Sequence, residues 1–473
     1  MSSFYTVSPK EELSSVYVGK NIHNVPTPAA ILDLAVVRRN CERMLGACEA
    51  LQLEWRAHVK THKTIELTRL QVGSSPLRPA NLIVSTLVEA EFLLPLLQSY
   101  RSQNRPLNLL YGLPLSPEQI PRLAAIAKLL GPRSISILLD HPAQLAHLPT
   151  FIELSGGVVP LAHIKIDMGG CRAGVVLGSE GFDAVINTAL KAHEDGTIIL
   201  SGLYSHAGHS YGGDNPVAAM GMLQAELLAL QAAAESIIST SSSSSHLPPL
   251  TLSVGSSPTA LSVQNLLDND TSTTPTTPET RSAILSLQTL LTTLKSSNLI
   301  VEIHAGVYPT LDLQQLAAHS LTPARLSWTD IAFTVLAEVI SIYPGRGSHG
   351  FAEYLIGAGG LALGREFCKA YPGMAMLTPW NRDGVEMPGE EVAVEAYKGW
   401  IVGRFSQEHG IVTWSGEKGG AEPDELVVGQ KVRLWPNHSC ITGSHFGWYF
   451  IVDSESEGKE DEIVDVWVKA RGW

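Results

Sequence analysis

The residues best equipped for chemistry lie in a few short clusters. HVKTHK, His58 to Lys63, places two lysines and two histidines within six positions. An uncharged lysine amine can form a Schiff base or take a proton, and burial beside other cations lowers a lysine pKa toward that state. Four further clusters, KIDMGGCRAG (165–174), GLYSHAGHSY (202–211), SVGSSPT (253–259) and HAGVY (304–308), mix glycines with hydroxyl, imidazole and phenol groups. Near the C-terminus stand SQEHG (406–410) and WPNHSC (435–440). In an extended strand residues i and i+2 point to one side, so His438 and Cys440 could grip one ion. Each cluster also has a plainer reading. A strand-end lysine is usually a solvated charge, Gly-Ser-Ser and Asp-x-Gly-Gly are common turns, and His-x-Cys is usually a histidine near a buried cysteine.

Elements must position these groups. Between residues 54 and 305, short apolar runs alternate with helical patterns: LEWRAHV, NLIVST, LNLLYG, SISILLD, AHIKIDM, IILSGLYSH, LTLSVG and LIVEIHAG. Eight such strands close a (β/α)8 TIM-type barrel. HVK ends the first, DMGGCRAG follows the fifth, YSHAGHSY the sixth, SVGSSPT the seventh and HAGVYPT the eighth. That end of the strands is where barrels of this kind do chemistry, and the loops after the last two strands are their usual phosphate site. A lysine facing two phosphate-type loops makes up the parts of a pyridoxal 5'-phosphate (PLP) site.

The expected domains are 1–53, an N-terminal strand (PAAILDL) and helix outside the barrel wall; 54–320, the barrel; and 325–473, an all-β domain of short strands parted by Gly, Pro and Asn. Ser/Thr-rich inserts near 237–249 and 268–280 read as surface loops. With 44% hydrophobic residues the chain can bury a large core. A net charge of −13 without a basic cluster argues against nucleic acid, leaving small molecules as partners. The sequence suggests neither a secretory signal nor a stretch long enough to span a membrane, so a cytoplasmic protein is expected. Five scattered cysteines fit a reducing compartment.

Taken together, RAHVKTHK, KIDMGGCRAG, GLYSHAGHSY, SVGSSPT and HAGVY resemble the alanine-racemase-like (fold type III) PLP enzymes. With SQEHG and WPNHSC, they resemble the branch holding D-serine dehydratases and D-threonine aldolases. The resemblance implies that Lys60 is the Schiff-base lysine and Lys63 a supporting or surface charge, with Arg56, His58 and His62 placed to help. It implies that Tyr204 and Tyr211 face the cofactor, that Ser256, Ser257, Gly306 and Val307 contact its phosphate, and that His438 and Cys440 bind zinc. A thiolate favours zinc over harder ions. Glu408 or His409 would orient substrate or water. This chain has Gly-Ser-Ser-Pro where relatives often have Gly-Ser-Thr-Pro, and Gly-Val-Tyr where they often have Gly-Asn-Tyr; hydroxyl and backbone N–H survive both changes. The implied activity is β-elimination on a D-amino acid, D-serine to pyruvate and ammonia with D-threonine a slower substrate, by a homodimer. A D-threonine aldolase, which typically carries His-x-Asp, and a non-catalytic PLP homeostasis protein, which lacks the β-domain, are the alternatives.

Overall fold

The structure, a computed structural model, describes residues 6–241, 246–267, 277–417 and 422–473. Its strands, in chain order, are β1 (Ala29–Asp33), β2 (Glu54–His58), β3 (Ala80–Val84), β4 (Leu107–Pro114), β5 (Ile135–Leu139), β6 (Leu161–Asp167), β7 (Val175–Val176), β8 (Ile199–Tyr204), β9 (Thr251–Val254), β10 (Ile300–Ala305), β11 (Phe333–Tyr343), β12 (Glu353–Ile356), β13 (Ala375–Leu377), β14 (Trp400–Phe405), β15 (Gly410–Trp414), β16 (Lys431–Pro436), β17 (Trp448–Val452) and β18 (Asp465–Val468). The chain divides into two compact units, one centred on Glu42–Gly306 and one formed by Thr6–Cys41 with Val307–Lys469.

The first unit is a closed parallel barrel. Its strands follow the order β5-β4-β3-β2-β10-β9-β8-β6, and β5 pairs with β6 to complete the ring. Strands buried on both faces read as mostly apolar runs, as in the ISILL of β5, where every residue is buried. Several crossover helices start from a capping side chain in the turn that follows the strand. Thr64 accepts from the Leu67 N–H, Thr86 from Glu89 and Asn215 from Ala218. The turn Val59–Lys63 is therefore fixed between the end of β2 and the Thr64 cap.

Two sequence expectations change here. SIIST at the start of the first insert is the last turn of the helix Pro216–Thr240, and the end of the second insert opens the helix Pro278–Ser296. The middle of each insert, 242–245 and 268–276, lies outside the described residues. Pro216–Thr240 is also, at 25 residues, long and apolar enough to cross a membrane, although no such stretch was expected. Its apolar length has another use: 44% of its most apolar stretch is buried, and it packs on β8, β9 and the helix Pro278–Ser296.

The second unit is a mixed sheet ordered β12-β15-β14-β13-β16-β11-β1-β17-β18. The long strand β11 pairs with β12 on one part of its length and with β16 on another, which closes six of these strands into a ring. β11 pairs with β16 through Val335–Glu338 and with β12 from Val339 on, with a register shift between Val339 and Ser341. The N-terminal strand β1 belongs to this sheet, antiparallel to β11 and parallel to β17. Its Ile31 joins Leu336, Phe450 and Val466 in an apolar cluster.

Candidate active site

In the barrel unit, Lys60 lies two residues beyond β2, half-buried. Its backbone N–H donates to His58 Nδ1 at 3.4 Å, so His58 carries its proton on Nε2, 3.4 Å from Ser85 Oγ. His58 is pushed well below the ordinary histidine range, first by burial and then by the Lys60 charge. The other members of the cluster have different work. Lys63 pairs with Glu89 at 3.1 Å. His62 is fully buried, with Nδ1 accepting from the Thr64 N–H and Nε2 against Gln71 Oε1 at 2.9 Å, so it braces the following helix.

Arg56 points into the barrel, where its Nε donates to Glu302 Oε1 at 2.7 Å. Ser253 Oγ donates to the same Glu302 oxygen and so accepts from His304 Nδ1, 3.0 Å away. This chain places the His304 proton on Nδ1. Its Nε2 is then a buried lone pair with no hydrogen-bond partner among the described residues. The His304 ring stacks on Tyr204, centroids 4.3 Å apart and planes 8° apart, and burial keeps His304 well below the usual range. His206 donates from Nδ1 to the Gly255 carbonyl at 2.8 Å, and burial, reinforced by Lys60, pushes it down to about 3. Three uncharged imidazoles thus surround the turn that carries Lys60.

The loops after β8 and β9 supply hydroxyls. Ser210 and Ser256, both buried, lie 2.6 Å apart, and Ser257 is buried beside them. Gly255 has φ of 148°, and a Cβ there would come within 2.1 Å of the His304 carbonyl, so only glycine fits. Gly306 packs on His58 less tightly, where a Cβ would lie 3.3 Å from the His58 Cβ. Tyr211 sits half-buried on the single turn Gly208–Gly212. Gly306 ends the barrel unit and the buried Val307 begins the other. An orphaned acceptor, an amine and a hydroxyl cradle with glycine-only approach fit an aromatic phosphate such as PLP.

Three barrel groups were not anticipated. Lys165, its Nζ 4.7 Å from the Tyr204 ring centroid, is pushed down to about 8 by burial and then by Arg172. His163 is driven by burial to about 4. Glu226 is fully buried on the helix Pro216–Thr240, and burial lifts its carboxyl to about 7. A single acid on the core face of an otherwise apolar helix was the signal that could have exposed Glu226.

In the second unit, the His-Ser-Cys segment is not an extended strand. β16 ends at Pro436, His438 is extended, and Ser439–Ser444 is a short helix that His438 precedes. The turn still brings His438 and Cys440 together. Burial works against the His438 proton, but the hydrogen bond and charge of Cys440, with Asp312 and Glu366, hold it up at about 9. His438 Nδ1 is buried without a hydrogen-bond partner among the described residues, 3.9 Å from Glu366 Oε2. Ser439 pins the turn, its N–H donating to Asp312 Oδ2 at 2.8 Å and its hydroxyl to the Leu311 carbonyl. Among the described residues no group of three or more His, Cys, Asp or Glu side chains could hold a metal, so this pair offers two protein ligands. An imidazole and a thiol sharing one proton aim their lone pairs at one point, and a cation replaces that proton. The pair fits zinc. Glu408 and His409 lie exposed at the tip between β14 and β15.

Residues 32–270 match the family described as the alanine racemase N-terminal domain, and residues 332–452 that described as a serine dehydratase domain. Barrel, β-unit and lysine-centred site therefore define an alanine-racemase-like protein with an added dehydratase-type domain. The D-serine dehydratase of Schizosaccharomyces pombe (strain 972 / ATCC 24843) is 36% identical, across 100% of this chain and 98% of that protein. That of Saccharomyces cerevisiae (strain ATCC 204508 / S288c) is 31% identical, across 98% of this chain and 100% of that one. A solved structure of D-threo-3-hydroxyaspartate dehydratase from Delftia sp. HT23 is 25% identical, covers 96% of this chain and 100% of that chain, and has a TM-score of 0.69. This chain belongs to the D-serine dehydratase family.

Proposed function

We propose that the protein is a PLP- and zinc-dependent D-serine dehydratase. The observation that carries this reading is the Lys60 amine held among uncharged imidazoles in a chain 36% identical, end to end, to an enzyme so named. Lys60 is the amine that bears the cofactor, because Lys63 is committed to Glu89. Bound PLP supplies an electron sink for the bonding pair at the substrate Cα. Lys60 Nζ takes the α-proton; neutral His58 and His206 beside it add no positive charge to compete for that proton. His304 Nε2 accepts a donor from the bound molecules, its tautomer set through Ser253 and Glu302 by Arg56. Ser210, Ser256 and Ser257 hold the phosphate, with Gly306 and Val307 completing the loop that follows β10. Tyr204, stacked on His304, and Tyr211 would help hold the cofactor.

Zinc on His438 and Cys440 supplies Lewis acidity, which a poor leaving group such as hydroxide needs. In support, one solved structure of the hydroxyaspartate dehydratase is described as a cysteine-to-alanine mutant in the metal-free form. Net loss of water across Cα–Cβ leaves an enamine, whose hydrolysis gives pyruvate and ammonia. A cytoplasmic homodimer is the expected form, checked by light scattering of the purified protein. The deciding experiment incubates the protein with D-serine, L-serine, D-threonine and D-threo-3-hydroxyaspartate, and assays keto acid, ammonia and glycine. D-serine yields pyruvate far faster than L-serine does, since one base on one face removes one α-hydrogen efficiently. Comparable rates for the two enantiomers, or glycine as the product of D-threonine, refute the assignment.

A further inference from the structure

Glu226 stands out among the buried groups that the proposed chemistry does not use. It is the one acid buried on the helix Pro216–Thr240, and a carboxylate there must be compensated by donors. Four are present. Ser205 Oγ donates to its Oε1 at 2.8 Å and the Ala207 N–H to the same oxygen at 3.0 Å; Thr259 Oγ1 donates to Oε2 at 3.2 Å, and the Gly255 N–H also bonds the carboxylate. Two of these donors come from the loop after β8 and two from the loop after β9. One carboxylate thus ties together the two loops that carry Ser210 and Ser256.

The tie has a direction. Because Thr259 gives its proton to Glu226, its oxygen is free to accept, and it accepts the Ser256 N–H at 2.9 Å with Ser256 Oγ 3.1 Å away. Ser256 Oγ in turn meets Ser210 Oγ at 2.6 Å. The path from Glu226 through Thr259 and Ser256 to Ser210 is continuous and buried throughout. We infer that Glu226 is a positioning residue that sets the geometry of the Ser210–Ser256 cradle and, through it, the affinity for the phosphate group of the cofactor. This deepens the PLP reading and rests on it. A brace that served folding alone would have no reason to act on one end of the cofactor.

The test compares two ligands that differ only in phosphate. Full-length protein stripped of cofactor is titrated with PLP and with pyridoxal, following the absorbance of the lysine adduct. Glu226→Gln keeps the volume but not the polarity: turned one way its NH2 faces the Ala207 N–H, turned the other it faces the Thr259 hydroxyl. A donor facing a donor in a buried site weakens PLP binding about tenfold or more, while pyridoxal affinity stays within about twofold. Equal losses for the two ligands, or an unchanged PLP affinity, overturn the inference. If Glu226→Gln does not fold, Thr259→Val breaks the same path one step later and is read by the same ratio. Wild-type protein that binds neither ligand overturns the PLP reading and this inference together, whereas wild-type binding with an unshifted ratio in the variants overturns this inference alone.

Discussion

The two candidate centres use buried histidine in opposite ways. In the barrel, His58, His206 and His304 lie among cations, and burial holds every one of them below its ordinary range. In the β-unit, burial pushes His438 the same way but loses to Cys440, Asp312 and Glu366, leaving it raised to about 9. Desolvation acts on all four rings, so the sign of the outcome is decided by the neighbours. Rings held neutral beside a lysine suit proton transfer and hydrogen bonding. An imidazole sharing a proton with a thiol suits a cation that takes the proton's place. The comparison teaches that one residue type is turned into two tools by the charge beside it.

The comparison breaks first at Lys60. If the barrel centre is the site of proton transfer, Lys60→Ala lowers pyruvate formation from D-serine by about 1,000-fold or more, whereas Lys63→Ala, which removes an ion pair at a half-buried site, changes it by less than about tenfold. Borohydride reduction of the wild type followed by peptide mapping checks the chemistry directly, with label expected on Lys60. Label on Lys63 would break the distinction drawn between the two lysines.

The next largest effect falls on the other centre. Chelation, or Cys440→Ala, is expected to cut turnover about 100-fold or more while the absorbance of the Lys60 adduct persists, since a Lewis acid contributes several kcal/mol and the two centres share no residue. Elemental analysis before and after, with zinc added back, reads the metal independently of rate. Full activity in metal-free protein would reduce His438 and Cys440 to structural partners.

How much of this was legible in the sequence differs between the centres for a physical reason. All eight barrel strands were read from short apolar-rich runs, because a parallel strand buried on both sides is mostly apolar. The clusters at their ends were legible for the same reason, since a strand end fixes where a side chain goes. The fate of β1 was not: its apolar run fits either sheet, and only pairing with Leu336 and Phe450 decides which. The extended geometry assumed for His438 and Cys440 was wrong because Asp312, over 120 residues earlier, captures the Ser439 N–H and starts a helix there. Burial-driven chemistry at His304, His163 and Glu226 was silent too, because it depends on contacts between strands and helices far apart in sequence.

A third prediction sharpens the comparison through pH. Unfolding returns His163 from about 4 and His206 from about 3 to the ordinary value near 6.5, and releases His58 and His304, also held low. Between those limits the unfolded chain binds protons that the folded barrel refuses. The contribution of these four rings to stability is therefore full above about pH 6.5 and falls as pH drops, by up to about 1.4 kcal/mol per pH unit for each ring. Glu226, raised to about 7, and the raised Glu54 and Asp312 work the other way above their ordinary values, as does His438 above about pH 6.5, which leaves four rings against three carboxyls below about pH 6.5. Melting temperatures of the cofactor-free protein at about pH 6.5, about 6 and about 5 should decline, with a shallower decline in His206→Gln. A flat profile would mean that these rings are not held neutral.

The smallest effect is a change of preference at the metal centre. Cys440→Asp replaces a soft sulfur by a hard oxygen while leaving His438 in place, so the site moves from zinc toward magnesium or manganese. A carboxylate at 440 is ionised at neutral pH without help from a metal and holds no proton of its own, so metal uptake should also release fewer protons than it does from the His438–Cys440 pair. Competition between zinc and manganese, followed by elemental analysis, is expected to shift the bound ratio toward manganese by about tenfold. Calorimetry in buffers of different ionisation heat then counts the protons released with zinc in both proteins. An unchanged zinc preference, with the same proton count, would show that Cys440 is not a ligand and that the opposition between the two histidine environments has no bearing on metal.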